Sequence, residues 1–305
     1  MAPLNMGPLY YQLSLSLKGN IVSMSNRRTF IKQAGLLSAA LYFTQTSCSP
    51  KKAAGLQLYT LGDLSKDVNG TMRKVAAAGY HIIETSGYTE SNKFWGLPAK
   101  EFAGVLNANG QHSPSGLYFF DLNGNLDDLK HFIEAAATVG QKYLVQPWLL
   151  EEWRKSADDY KRIAQKLNEA GELTRKSGIS MGYHNHDFEF KNYSGKTGFD
   201  ILLEETEPGL VKIEMDIYWV VRGGIDPVEL FKKYPGRFPL WHVKDMDKAD
   251  PKRNTEVGNG KIDFKEIFSN AALAGLDQPF VEQENFTIDP YESIARSAAY
   301  LKGIY

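Results

Sequence analysis

Residues 211–246 read VKIEMDIYWVVRGGIDPVELFKKYPGRFPLWHVKDM, and this stretch decides the fold. Two short apolar runs, 211–221 and 238–243, each hold one ionisable residue towards the end, Asp216 and His242. Between them Asp226-Pro227 opens a helical pattern (Val228, Leu230, Phe231) that stops at Tyr234-Pro235-Gly236. A strand, a helix opened by Asp-Pro and a second strand make one βαβ unit, with both polar groups at the strands' carboxyl ends. A charge inside a buried parallel strand is costly unless it is paired or bound to a metal. Two such groups at equivalent positions of neighbouring strands are therefore expected to converge on one ion.

Working outward, short apolar runs alternate with longer helical patterns from Gly55 to the end of the chain. The pattern predicts strands at 56–61, 81–85, 115–119, 143–146, 179–184, 211–216, 239–243 and 280–282. Helices are expected at 65–78, 98–109, 126–139, 156–176, 197–205, 227–234, 264–274 and 290–302. Gly79, Gly110, Gly140 and Gly178 follow helical patterns and precede strands, as helix C-termini prefer. Strict alternation of eight strands and eight helices over about 250 residues is the size and pattern of a single (β/α)8 TIM barrel, an α/β fold. A doubly wound sheet is the competing architecture. It would place a glycine-rich nucleotide loop after the first strand, where Tyr59-Thr60-Leu61-Gly62-Asp63 stands instead.

Residues 1–54 read as a leader and linker, and 55–305 as the barrel domain. Ser25-Asn26-Arg27-Arg28-Thr29-Phe30-Ile31-Lys32 resembles the twin-arginine export motif, and a short apolar run follows at 34–43. That run is too short for a membrane span and suits a signal segment. Met24 is the expected start, and the expected location is the periplasm or the cell envelope. Cys48, the chain's one cysteine, stands where a lipoprotein cysteine would, after the loose match Gln45-Thr46-Ser47. The chain of 305 residues has a formal net charge of -1, which argues against a nucleic-acid surface. A homo-oligomer is compatible with the sequence.

Polar residues at the carboxyl ends of barrel strands read as site residues. His184, Asp216, His242 and Glu282 stand at the ends of the last four expected strands, each about one βα repeat from the next. A mixed nitrogen and oxygen set suits one divalent ion such as manganese, cobalt or zinc, with magnesium tolerated less well. Each residue also has an ordinary reading. His242 could be a core histidine bonded to a carbonyl, Asp216 a partner of Lys244, and Glu282 a loop cap. Glu214 and Glu284 lie two residues from the candidates and share their side of the strand. Glu84, ending strand two, is an acid/base candidate or else a surface carboxylate. Trp148 and Trp219 are expected to line the site, ahead of Trp95 and Tyr59. Lys244, His186 and Arg222 are expected to bind substrate oxygens, although Lys244 could equally pair with Asp216 or Asp245.

Five segments carry a resemblance to the sugar phosphate isomerase/epimerase family of xylose isomerase-like barrels. They are GYHNHDFEF at 182–190, MDIYW at 215–219, LWHVKD at 240–245, GNGKID at 258–263 and FVEQE at 280–284. The resemblance implies a metal held by Glu, Asp, His and Glu from strands five to eight. Asp216, His242 and Glu282 match the last three places, and His184 stands where many members have the first glutamate. Glu189 is the reserve for that place. Family epimerases use two metal-bound glutamates on opposite faces of the sugar, so His184 weakens the two-base reading. One base, Glu282 or a histidine such as His184, suffices for isomerisation through an enediolate or for elimination beside a ketone. The expected function is therefore a divalent-metal-dependent isomerase/epimerase-type enzyme acting on a small, unphosphorylated carbohydrate. Alternatives are a keto-glycoside lyase or hydrolase and a non-catalytic carbohydrate-binding barrel.

Overall fold

Parallel pairing closes eight strands into a barrel in the computed structural model, which describes residues 53–305. The expectations for Met24, Arg27-Arg28 and Cys48 lie outside those residues. The barrel strands are β1 (Gly55–Gln57), β2 (Ile82–Thr85), β3 (His112–Leu117), β4 (Tyr143–Gln146), β5 (Ser180–His184), β6 (Val211–Asp216), β7 (Leu240–Val243) and β8 (Gln278–Val281). They neighbour one another in chain order, and β1 pairs with both β2 and β8 to close the ring. The main helices are α1 (Val68–Ala77), α2 (Ala99–Ala108), α3 (Leu129–Val139), α4 (Ala157–Arg175), α5 (Gly198–Glu205), α6 (Ile217–Arg222), α7 (Pro227–Lys233), α8 (Phe264–Ser269), α9 (Ala271–Ala274) and α10 (Pro290–Leu301).

Local chemistry fixes the boundaries. Asp226 accepts a hydrogen bond from Val228 N and Pro227 opens α7, as the Asp-Pro pair predicts. Ser156 and Asp159 form a reciprocal capping box on α4, and Thr197 with Asp200 does the same for α5. Gly140 ends α3 in the left-handed region, its N–H on Ala136 O.

Several boundaries differ from the sequence pattern by a few residues. The first strand stops at Gln57, because its side-chain oxygen accepts from Tyr59 N and tightens residues Leu58–Leu61 into a 3-10 turn. The third strand begins at His112, not 115. Its register against β2 shifts by one residue between Ile82 and Glu84, and that bulge accommodates Pro114. The strand expected at 211–216 keeps its bounds, since Asp216 caps Trp219 N and turns residues 217–222 into α6. The expected helix at 264–274 breaks at Asn270 into α8 and α9.

The barrel interior changes character along its axis. At the amino end Val145, Leu240 and Phe280 form a small apolar cluster with Ile82, Leu117 and Tyr143 against it. Gly55 is needed there, because a Cβ would stand 2.5 Å from the Phe280 ring. Two residues further along, on the same faces of their strands, stand Glu84, His242 and Glu282. One pleat thus converts an apolar plug into an ionisable floor. The larger apolar core lies between strands and helices, with Trp241, Phe231 and Phe238 among its fully buried members.

Candidate active site

Six ionisable side chains meet at the carboxyl end of the barrel, each at most 5% exposed: Glu84, His184, Glu214, Asp216, His242 and Glu282. Strand register brings them together, since His184 pairs with Glu214 across β5–β6 and Asp216 with His242 across β6–β7. His242 is the hub. Its Nδ1 lies 2.8 Å from Glu282 Oε2, and its Nε2 lies 2.6 Å from Glu84 Oε2 and 3.2 Å from Glu214 Oε2. It is therefore not a core histidine satisfied by a carbonyl. His184 Nδ1 lies 3.1 Å from Glu214 Oε2, and its Nε2 lies 3.9 Å from Asp216 Oδ2. Asp216 Oδ1 accepts from Trp219 N, while the buried Oδ2 has no hydrogen-bond partner among the described residues.

Glu84 is neither a surface nor a loop group. It is fully buried at the end of β2 and accepts from Gln57 Nε2 at 2.7 Å. Glu189 is placed away from the cluster, where its carboxyl takes the Tyr183 hydroxyl and accepts from His186 N at 2.9 Å. Glu214 occupies the position that Glu189 was held in reserve for, beside His184. Lys244 pairs with Glu284 at 2.6 Å and stands 3.7 Å from Glu282 Oε2, so neither Asp216 nor Asp245 is its close partner. Asp245 instead accepts from the backbone N–H groups of Gly258, Gly260 and Ile262, which pins the GNGKID loop.

Burial and mutual charge set the protonation of the floor. Burial opposes a charge on His242, yet Glu214, Glu84 and Glu282 outweigh it and hold the imidazolium well above the usual range. Burial, then the neighbouring charge of Glu84, pushes Glu214 well above the usual carboxylate range. Asp216 is pushed up to about 7 by burial and by Glu282, against the pull of Lys244 and His242. Glu282 goes the other way: burial is overcome by Lys244 and His242, which bring it down to about 2. Burial and the nearby His242 keep His184 well below its ordinary value, hence neutral. His186 is brought down to about 3, first by burial and then by Lys244.

A cavity of about 510 Å³ opens above this floor, with His184, His186, His242, Lys244, Glu282 and Glu284 on its lining. Glu84, Glu214 and Asp216 lie beneath the lining. Trp148 and Trp219 stand on the wall, as the sequence suggests, and both pack against His186, with ring centroids at 4.4 and 5.2 Å. Arg222 is outside the cavity, its guanidinium 4.7 Å over Trp219 and its Nε 3.3 Å from Asp187. Trp95 packs on Phe102 instead of the cavity. Phe119 and Tyr88, which nothing in the sequence singles out, also line it, together with Glu284. Glu284 shares the Glu282 face of the chain by its two-residue spacing, which is the one signal available for it.

The family model for the xylose isomerase-like TIM barrel matches residues 72–304. The chain belongs to that family. Among solved structures, a sugar phosphate isomerase/epimerase from Parabacteroides distasonis is 31% identical with a TM-score of 0.72, over 84% of this chain and 96% of that one. A xylose isomerase-like barrel from Mycobacterium smegmatis, solved in complex with magnesium, is 16% identical with a TM-score of 0.63, over 83% of this chain and 96% of that one. At that identity the likeness is one of fold. An inosose dehydratase from Lacticaseibacillus casei is 27% identical over 163 residues, which is 47% of this chain and 54% of the relative. The chain thus spans about half the length of the curated relatives it matches.

Proposed function

We propose that this chain is a carbohydrate enzyme supported by a divalent metal ion, removing a proton beside a carbonyl group. The observation that carries the reading is the convergence of Asp216, His242 and Glu282, whose ligand atoms lie within 4.8 Å of one another. His184, Glu214 and His242 make a second such grouping. The donor set fits a divalent ion on two counts. Asp216 Oδ2 is buried without a hydrogen-bond partner, a costly state that a cation relieves. Four buried carboxyl groups face one lysine, and protons on His242, Glu214 and Asp216 offset the surplus until a cation replaces them. Bound there, the ion would polarise a substrate carbonyl and so acidify the neighbouring C–H.

The chain's own groups then divide the work. Glu282 and Glu284 are the carboxylates on the cavity lining, both beyond β8, so proton removal comes from that side. The Glu282 carboxylate is held ionised by Lys244 and His242, so it stands unprotonated on the lining, although the same stabilisation lowers its basicity. The β5 side, three strands round, presents His184 and His186, both kept neutral by burial. His186 Nδ1 is buried and has no hydrogen-bond partner among the described residues. This arrangement offers no pair of carboxylates on opposite walls, so it suits a one-base reaction, aldose–ketose isomerisation first. Elimination is the second reading, favoured by the likeness to inosose dehydratases.

The substrate is read as unphosphorylated. Lys244 is the single Lys or Arg side chain on the described lining, and Glu284 already holds it at 2.6 Å. Proton NMR in deuterium oxide with aldoses, ketoses and keto-glycosides tests the function. Deuterium entering the substrate beside its carbonyl supports it, and loss of water or an aglycone marks elimination. No exchange into any member, with metal supplied, overturns it. Export is part of the proposal, and fractionation of cells carrying Arg27-Arg28→Lys-Lys is its check.

A further inference from the structure

Five large apolar side chains among the described residues are exposed, and three of them rim the cavity: Tyr59 at 59%, Phe119 at 44% and Trp148 at 38%. Leaving aromatic faces in water is costly unless something covers them. These three follow β1, β3 and β4, so they fall on one half of the mouth, with Tyr59 at its edge beside Glu282 and Glu284 because β1 pairs with β8.

They are also held from behind. Phe119 stacks on Trp153 at 5.8 Å and 7°, and Trp153 is itself 5% exposed. Trp148 meets His186 and Phe188 edge-to-face, at 4.4 and 5.0 Å. Arg154 lies 3.6 Å over Phe188 and 5.9 Å from the Trp148 ring. The Tyr59 backbone is tied to Gln57, whose amide reaches Glu84 on the site floor. Phe119 on buried Trp153 and Trp148 on half-buried His186 and Phe188 form a preorganised stacking surface, with little ordering left to do on binding.

Size points the same way. A hexose has about twelve non-hydrogen atoms, and at the ~30 Å³ a water takes in the liquid these would fill about 360 Å³. The cavity, at about 510 Å³, is larger than that generous bound.

We propose that Tyr59, Phe119 and Trp148 form a second subsite for a ring linked to the reacting sugar, so that the substrate is a keto-glycoside or a disaccharide whose reacting ring keeps a carbonyl. The second ring presents a flat apolar face, and a sugar or an aryl group supplies it. The inference rests on the carbohydrate reading above and goes beyond it by naming the substrate class. Arg154 beside Trp148 is already engaged by the Phe188 ring and by Leu149 O, and Lys244 by Glu284, which suits a neutral ring better than a charged tail.

The test titrates tryptophan fluorescence of the metal-supplemented full chain with methyl and phenyl glycosides of glucose, galactose, mannose and xylose, and with cellobiose and maltose. The phenyl glycoside of the accepted sugar should bind about tenfold more tightly than its methyl partner, the scale of one or two aromatic contacts. Phe119→Leu and Tyr59→Ala, checked for unchanged melting, should each shrink that preference to about two- to threefold or less while methyl-glycoside affinity stays put. Tighter disaccharide binding identifies the second ring as a sugar, and tighter phenyl binding alone as an aryl group. Equal affinity for methyl, phenyl and disaccharide ligands overturns the subsite and leaves the carbohydrate reading standing, as does a preference that survives both substitutions. Binding of none of the sugars overturns both.

Discussion

The two halves of the barrel are built alike and end differently. β1 and β4 close on neutral amides that spend their hydrogen bonds on nearby structure. Gln146 accepts from Phe120 N and donates to Phe120 O and Trp148 O, while Gln57 accepts from Tyr59 N and donates to Glu84. β5 to β8 end instead on His184, Asp216, His242 and Glu282, with a surplus of carboxyls and an unsatisfied oxygen. Equivalent positions in one architecture therefore do different jobs. The neutral half fixes loops and the aromatic rim, and the charged half keeps an unsatisfied oxygen that the proposed cation would satisfy. Glu84 is the exception that joins them, standing on β2 yet bonded to His242.

The contrast breaks most visibly at its hub. His242→Ala should remove the metal and lower turnover at least about 10³-fold, within the range for losing one acid or base. The same change leaves Glu84, Glu214 and Glu282 without their shared cation, at a cost of about 3–5 kcal/mol to the apo protein. Metal analysis, kinetics and a denaturant titration read these out. A variant with normal metal content would remove His242 from the site.

His184→Ala should cost about 10²-fold in turnover with a smaller loss of metal affinity. His184→Glu supplies the carboxylate that the family resemblance implies at this place, but beside Glu214 and Asp216 it adds charge to a crowded floor. It should tighten manganese or magnesium and lower the melting temperature of the metal-free form. Melting with and without metal checks this.

On the neutral half, Gln146→Ala should leave metal content intact. It strands the Phe120 and Trp148 backbone groups and should destabilise the protein by about 1–3 kcal/mol. Lost metal binding in this variant would erase the division between the halves.

The smallest effect concerns Glu189, which burial pushes up to about 7, against the hydrogen bond from Tyr183. A carboxyl whose folded value is raised binds its proton more tightly when folded. Stability should therefore fall as pH rises from about 4.5, the unfolded value, to about 7. Glu189→Gln should flatten that slope in denaturant titrations across the window, and an unchanged slope would assign it to another group.

Much of this was legible before any coordinates. Buried parallel strands are apolar runs, so a lone Asp216, His242 or Glu282 inside one is conspicuous, and glycine and Asp-Pro mark the helix ends. The rest hides for physical reasons. Glu214 and Asp216 share a strand face, so spacing alone does not choose between them, and both enter the cluster. Residues 217–222 are as apolar as a strand, and only the Asp216 cap makes them a helix. Pro114 shifts β3 through a bulge that leaves no periodic trace. Glu84 looks like any acid after an apolar pair until barrel closure brings His242 to it. Phe119 is one aromatic among many until its exposure is known.

The account turns on whether the charged half holds a metal, and one comparison tests that directly. Wild type and Asp216→Asn are dialysed against manganese and analysed for metal per chain. Asparagine keeps the shape and the cap on Trp219 but removes the charge. The account predicts about one ion per wild-type chain and affinity at least about tenfold weaker in the variant, as expected for losing a carboxylate ligand. A wild type that binds no divalent ion, or a variant that binds as tightly as wild type, contradicts it.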